Sequence, residues 1–315
     1  MNYLSTEKRT LVTAALCEGV GVRATGRITG TDKDTVARLA LQVGEGYARL
    51  HNKLFVRLKP NVLELDEAWS FVHTKQAHVR ASDPDEYGDQ YSFIALDAES
   101  KLIPSYHVGK RRAKDTQGFL LDLASRCLTK PQITTDGFRP YIKAIAAAFG
   151  PDADYAQCIK EYLAECSAEA SRRYSPAKEV HVERVLISGE PDEDHINTSF
   201  VERQNLTLRM LARRWTRLTG AFSKSLRNHR AAMDLYVGYY NLCWAHETLK
   251  EEGATPKAPM TPRSPAMAAG VTTEIWTVER FTRECLALSL SIPPERVGDT
   301  MFKWRVQERM QERRR

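Results

Sequence analysis

The chain has 315 residues, 42% hydrophobic and 27% charged, with 46 basic against 40 acidic side chains and a formal net charge of +6. That apolar fraction can build a sizeable core, so disorder of the whole chain is excluded, and the length suggests two or three units. No apolar run approaches the roughly 18–20 residues of a membrane span, and the polar start MNYLSTEKRT lacks a signal-peptide core, so an intracellular protein with no membrane partner is expected.

In chain order, EKRTLVTAALCE (7–18) places Leu11, Val12, Ala15 and Leu16 at helical spacing. VRATGRITG (22–30) reads as a short helix stopped by Gly30, and Thr31 or Asp32 can cap a third helix over 33–43 with Val36, Leu39, Ala40 and Val43 inward. Helix, short helix, glycine turn, helix is the helix-turn-helix pattern, and it puts Lys33, Thr35 and Arg38 where such motifs meet base edges. An ordinary three-helix bundle fits the same periodicity.

After residue 60 the texture changes. NVLELDEAWSF begins as a strand that ends in charged residues, with YSFIALDAES and KLIPSYHVG as two more strands. DTQGFLLDLASRCL (115–128) is helical, KPQITTDGF (130–138) is a short strand ending at Asp136, and RPYIKAIAAAF (139–149) is a helix. Three strands, helix, strand, helix predicts an α/β sheet with helices on its faces. Residues 151–198 read as acidic and irregular, with one strand near VHVERVLIS (180–188). Two amphipathic helices follow at about 198–214 and 223–246. Pro256, Pro259, Pro262 and Pro265 mark an extended linker before a last helical pattern (273–287) and a basic tail. The six cysteines are scattered, with no C-x-x-C pair and no zinc spacing, and read as reduced thiols.

The net charge hides strong segregation. Residues 1–59 hold ten basic and five acidic side chains, and residues 151–195 hold five and eleven. Residues 200–230 hold eight basic and one acidic, and the tail 301–315 holds six and two. Basic segments around an acidic insertion suggest a polyanionic partner, although solvated helix faces give the same runs.

Three carboxylates stand out by context: Asp66 and Asp136 at strand ends, and Glu202 as the lone acid of the basic segment. Each has a plain alternative, as a turn residue, a cap or a neutralised neighbour of Arg203 or Arg209. Acids at the ends of neighbouring strands can also converge, with a helix adding a third, and divalent ions then relieve their repulsion. On that helix Asn205, three residues on, and Arg209, seven on, share the face of Glu202. Glu64 and Glu67 are expected to be bystanders or supports of Asp66, on the same and the opposite strand face respectively. Asp97 reads as a hairpin-turn residue, His195 as a surface or cap group, and Trp69 and Trp215 as packing.

LELDEAWSFV, ITTDGFRPY and HINTSFVERQNLTLRMLARRWTRLTGAFSKS together resemble the three signature blocks of insertion-sequence-one family transposases. The likeness extends to LSTEKRTLVTAALCEGVGVRATGRITGTDKDTVARL at the front and SPAMAAGVT near the end, over most of residues 4–272. E-R-x-N with an arginine seven after the glutamate is its most specific part. The resemblance implies a ribonuclease-H-like mixed sheet flanked by helices behind an N-terminal all-α helix-turn-helix domain. On it, residues 1–58 bind DNA, 59–250 form the catalytic core with an acidic insertion at about 151–195, and 251–315 are a Pro-rich linker and helical basic tail.

It further implies a bacterial, nucleoid-associated DNA transposase in which Asp66, Asp136 and Glu202 hold Mg²⁺ (Mn²⁺ as substitute). Such an enzyme frees 3′-hydroxyls at terminal inverted repeats and joins them to target DNA as a homo-oligomer, with no small-molecule substrate. Arg209, and with it Asn205, Arg213 and Arg214, would meet the DNA. Two departures stand out: 65 residues separate Asp136 from Glu202, and the N-terminal zinc-knuckle cysteines of some relatives are missing. A DNA-binding repressor or decayed copy, and a metal nuclease that cuts without joining, are the rival readings.

Overall fold

A computed structural model describes residues 4–162, 179–216, 219–252 and 260–289. The basic tail, residues 163–178 of the acidic insertion, and Pro256 and Pro259 of the expected linker lie outside the described residues. No helix among the described residues is long and apolar enough to cross a membrane.

Three helices open the chain: α1 (Thr6–Cys17), α2 (Val22–Thr29) and α3 (Lys33–Leu54). Gly30 ends α2 in the left-handed conformation, φ 61°, which costs glycine nothing. Asp32 caps α3, its carboxylate accepting from the backbone N–H of Asp34 and Thr35. The predicted stop at residue 43 is overturned, for α3 continues through Gly44 and Gly46 to Leu54. A Cβ at Gly44 would overlap the carbonyl of Ala231, and one at Gly46 that of Cys285. Close tertiary contact, which local propensity does not register, therefore uses these two glycines inside the helix.

The sheet has six strands: β1 (Val62–Val72), β2 (Gly88–Asp97), β3 (Ser105–Gly109), β4 (Gln132–Thr135), β5 (Tyr155–Tyr162) and β6 (Glu179–Ser188). Their spatial order is β3-β2-β1-β4-β5-β6, with β1, β4 and β5 parallel to one another and β2 and β6 antiparallel to their neighbours. This six-stranded mixed sheet flanked by helices is consistent with a ribonuclease-H-like core. Two expectations need correction. β1 does not end at its charged residues, because β2 pairs with it from Leu63↔Asp97 to Val72↔Gly88 and leaves Asp66 mid-strand. Residues 155–162 are a strand rather than irregular chain: Tyr155, Ala156 and Cys158 are buried, and the polar Gln157, Lys160 and Glu161 between and after them hid the pattern.

One face of the sheet carries α4 (Ala113–Arg126) and α5 (Pro140–Phe149), closing a core of Leu63, Leu65, Phe93, Phe119, Leu123, Tyr141 and Ile145. The other face carries α6 (Ser199–Leu211) and α7 (Leu226–Leu242), followed by the short α8 (Pro265–Ala268) and α9 (Val278–Ser289). A single cluster there joins Val36, Val43 and Tyr47 of α3 to Ala68, Ile94, Val201, Val237 and Phe281. The front helices thus share an apolar core with the sheet.

Candidate active site

The site follows from where β4 stops. β4 pairs in parallel with β1 from Val62↔Gln132 to Leu65↔Thr135 and then ends, so Asp66 and Asp136 occupy the next rung with no ladder between them. Sheet twist and alternation send Asp66 toward the α6 face and Glu67 toward the α5 face, and at an open strand end both can turn toward the gap. Among the described residues, Asp66, Glu67 and Asp136 each place a carboxylate oxygen within 4.8 Å of the others. At an effective dielectric near 20, two full charges that close repel by about 3 kcal/mol or more.

The electrostatics bear that out. Burial raises Asp66 to about 6, with Asp136 and Glu202 pushing the same way and the amide of Asn205 opposing. Burial likewise raises Glu67 to about 7, against the pull of Tyr141 and Arg111. Arg111 lies across the cluster, donating from Nε to Glu67 Oε2 at 2.9 Å and from Nη2 to Asp136 Oδ2 at 3.4 Å. Its guanidinium also stacks 4.1 Å over the ring of Phe138, whose backbone N–H donates to Asp136 Oδ1 at 2.9 Å.

Helix α6 is laid against β1 by a buried acid. Glu64 accepts from the backbone N–H of Phe200 at 2.8 Å and of Val201 at 2.9 Å, two of the unpaired donors at the start of the helix. Burial raises its carboxyl to about 7, opposed by those two bonds and by Lys101. Two residues along the same strand face, Asp66 Oδ2 accepts from Asn205 Nδ2 at 2.7 Å. Two strand residues advance about 6.6 Å. Four to five helical residues advance about the same, so strand and helix run in step. Glu202 lies between these two contacts, on the first turn of α6.

Not every predicted site residue joins the cluster. Glu202 is near enough to raise Asp66 and Glu64, but its Oε1 accepts from Lys160 Nζ at 2.7 Å and from Thr198 Oγ1 at 2.8 Å. Asn205 is buried and turned to Asp66 rather than outward. Arg214 donates to Ser223 Oγ at 2.8 Å, whereas Arg213 is exposed and Arg209 is half-buried. On α3, Lys33 and Arg38 are exposed and Thr35 is half-exposed, with Lys33 paired to Asp34 at 3.0 Å.

Among the minor candidates Glu67 departs from its expected role. Glu67, expected to be a bystander, belongs to the carboxylate cluster, and Glu64 is the anchor of α6. The Asp-Glu pair in ELDEAW was the visible signal for Glu67; strand alternation argued against it, and only the end of β4 lets both acids reach one point. Lys160 and Arg111 carried no sequence signal. Asp97 sits in the β2–β3 turn, accepting from Ser100 Oγ, and exposed His195 pairs with Asp192 at 2.9 Å. Trp215 is buried with its Nε1 donating to Ser92 Oγ, and Trp69 is half-buried.

No family model matches the chain. No curated protein matches it either. Among solved structures it is similar to one described as the cryo-EM structure of a piggyBac transposase synaptic complex with hairpin DNA, at 8% sequence identity and a TM-score of 0.44, covering 96% of this chain and 75% of that one. A likeness that loose decides nothing about the site, which stands on this chain's own residues.

Proposed function

We propose that the protein is a DNA transposase of the insertion-sequence-one kind, acting on the ends of a bacterial insertion sequence in the cytoplasm. The observation that carries the reading is the convergence of Asp66 and Asp136 at the end of β4, with Asn205 of α6 bonded to Asp66 and Glu202 about one turn before it on the same helix. The donors are all oxygen, and their mutual repulsion calls for a counter-charge, which fits Mg²⁺, with Mn²⁺ as substitute. Asp66, Asp136 and Glu202 would hold it.

Bound there, the ion would supply charge stabilisation to a phosphodiester and acidify its nucleophile. The chain's own groups do the rest. Asn205 favours the ionised form of Asp66 and aims it by donating to Oδ2, and the backbone N–H of Phe138 orients Asp136. Glu202 turns from Lys160 toward the other acids, which frees an ammonium for a phosphate oxygen. In the first step water attacks the phosphorus, the P–O3′ bond breaks and the 3′-oxygen leaves with a proton. In the second, that 3′-hydroxyl attacks a target phosphate, loses its proton and displaces the target's own 3′-oxygen.

The exposed Lys33 and Arg38, with Thr35, would read the terminal inverted repeat from the start of α3. Arg209 and Arg213 would hold phosphates, and two ends cut together call for a homo-oligomer. An Mg²⁺-dependent cleavage and strand-transfer assay on the element's own inverted-repeat ends tests this. Asp66→Asn, Asp136→Asn and Glu202→Gln should each lower cleavage by 100-fold or more, on the order of the loss of a metal ligand, while end binding stays within about threefold. Near-normal cleavage in any of them removes that residue from the site. Repeat binding without cleavage in the unmodified protein would favour a repressor, and cleavage without joining a nuclease.

A further inference from the structure

The side chain of Glu67 is only 3% exposed, yet its Oε1 makes no hydrogen bond among the described residues. The Tyr141 hydroxyl lies beside it and lowers its pKa as a hydrogen-bond donor, yet neither that hydroxyl nor Oε1 is in a bond of good geometry. A carboxylate oxygen left in this state is costly unless something else occupies it. A second orphan belongs to the residue that donates to Asp66 from α6. Asn205 is 3% exposed and its head group is held at Asp66 through Nδ2, yet its Oδ1 has no hydrogen-bond partner among the described residues. One orphaned oxygen thus belongs to a member of the carboxylate cluster, whose acids lie within 4.8 Å of each other, and the other to the amide bonded to Asp66.

Arg111 occupies the remaining side. Its guanidinium bridges Glu67 and Asp136 from the surface, 38% exposed, held by Phe138 beneath it. It thereby supplies the positive charge that the acids require, but it donates to neither Oε1 of Glu67 nor Oδ1 of Asn205.

We propose that Glu67 is a further ligand of the divalent-cation site, beside Asp66 and Asp136, and that Arg111 is the resident counter-charge that the ion displaces from Glu67 and Asp136. This rests on reading Asp66 and Asp136 as cation ligands. Loss of the Glu67 carboxylate removes one oxygen ligand and one negative charge, so affinity falls. Loss of Arg111 removes a competitor and leaves two acids uncompensated, so affinity rises. A structural role for the Arg111–Glu67 pair predicts the reverse for Arg111, because breaking it would loosen the site.

The test is direct titration of the full chain with Mn²⁺, followed by the electron paramagnetic resonance signal of the free ion. Glu67→Gln should weaken binding by about tenfold or more, as removal of a ligand does, and Arg111→Ala should tighten it by about threefold or more. Glu67→Gln binding within about twofold of the unmodified protein, or Arg111→Ala binding no tighter, overturns the proposal. Asp66→Asn and Asp136→Asn separate this from failure of the underlying reading. If they bind Mn²⁺ like the unmodified protein, the cation site itself is lost; if they lose it while Glu67→Gln does not, only the role of Glu67 falls. Should Glu67→Gln lose its circular-dichroism signature of folding, Arg111→Ala at the surface decides the matter alone.

Discussion

His229 shows how much a single buried side chain can specify. It is fully buried, stacked 4.3 Å from the ring of Trp215, with Nδ1 2.8 Å from Ser223 Oγ and Nε2 2.8 Å from Ser70 Oγ. Arg214 donates to Ser223 and Ser70 donates to the carbonyl of Gln90, so the directions are set: Ser223 donates to Nδ1 and Nε2–H donates to Ser70. A protonated ring would turn Ser223 from donor to acceptor at Nδ1, beside the bond it already accepts from Arg214, and its own O–H would need another partner. Burial, with Arg214 and Arg230 adding repulsion, lowers its pKa to about 3. Because the folded value lies below the unfolded one, its stabilisation is complete above about pH 6.5 and is lost as pH falls toward 3. The expected loss between pH 7 and pH 5 is about 2 kcal/mol. The buried carboxylates with raised pKa act in the opposite sense, so the measurement is a difference: urea unfolding of His229→Gln should lose about 2 kcal/mol less over that interval than the unmodified protein. Equal slopes would mean that His229 is protonated in place.

Among the elements, α6 depends on an acid from another part of the chain. Thr198 precedes it without a side-chain cap bond, and Glu64 of β1 satisfies the two N–H groups instead, with its charge at the positive end of the helix dipole. Glu64→Leu strips both partners and should cost about 2–5 kcal/mol, since each orphaned buried N–H costs about 1–3 kcal/mol. Glu64→Gln keeps an oxygen that can accept both and should cost less than half of that, measured by urea denaturation. Equal losses would show that charge rather than bonding anchors the helix. The sequence marked Glu64 only as a neighbour of Asp66, because the partner N–H groups lie 136 and 137 residues away.

Across the whole molecule, α3 is the connecting member. Its first two turns carry the exposed Lys33 and Arg38 and the half-exposed Thr35, and its later turns pass α7 and α9 at a separation that only glycine permits. Gly44→Ala and Gly46→Ala should each cost about 1–3 kcal/mol by overpacking, although alanine is the better helix former. A urea midpoint that rises instead would mean that the helices separate freely.

What the sequence determined by itself was local: amphipathic helices, β1 to β4, the glycine and Asp32 that bracket the second turn, and the acids Asp66, Asp136 and Glu202 as unusual in context. These rest on periodicity and near-neighbour chemistry. Tertiary structure alone decided that Glu67 joins Asp66 and Asp136, that Arg111 bridges two of those acids, that Lys160 holds Glu202 and that Asn205 turns inward. Each of those depends on where β4 stops and on how α6 is registered against β1. Register between segments 70 to 139 residues apart is set by packing and by buried hydrogen bonds, which leave no periodic trace along the chain.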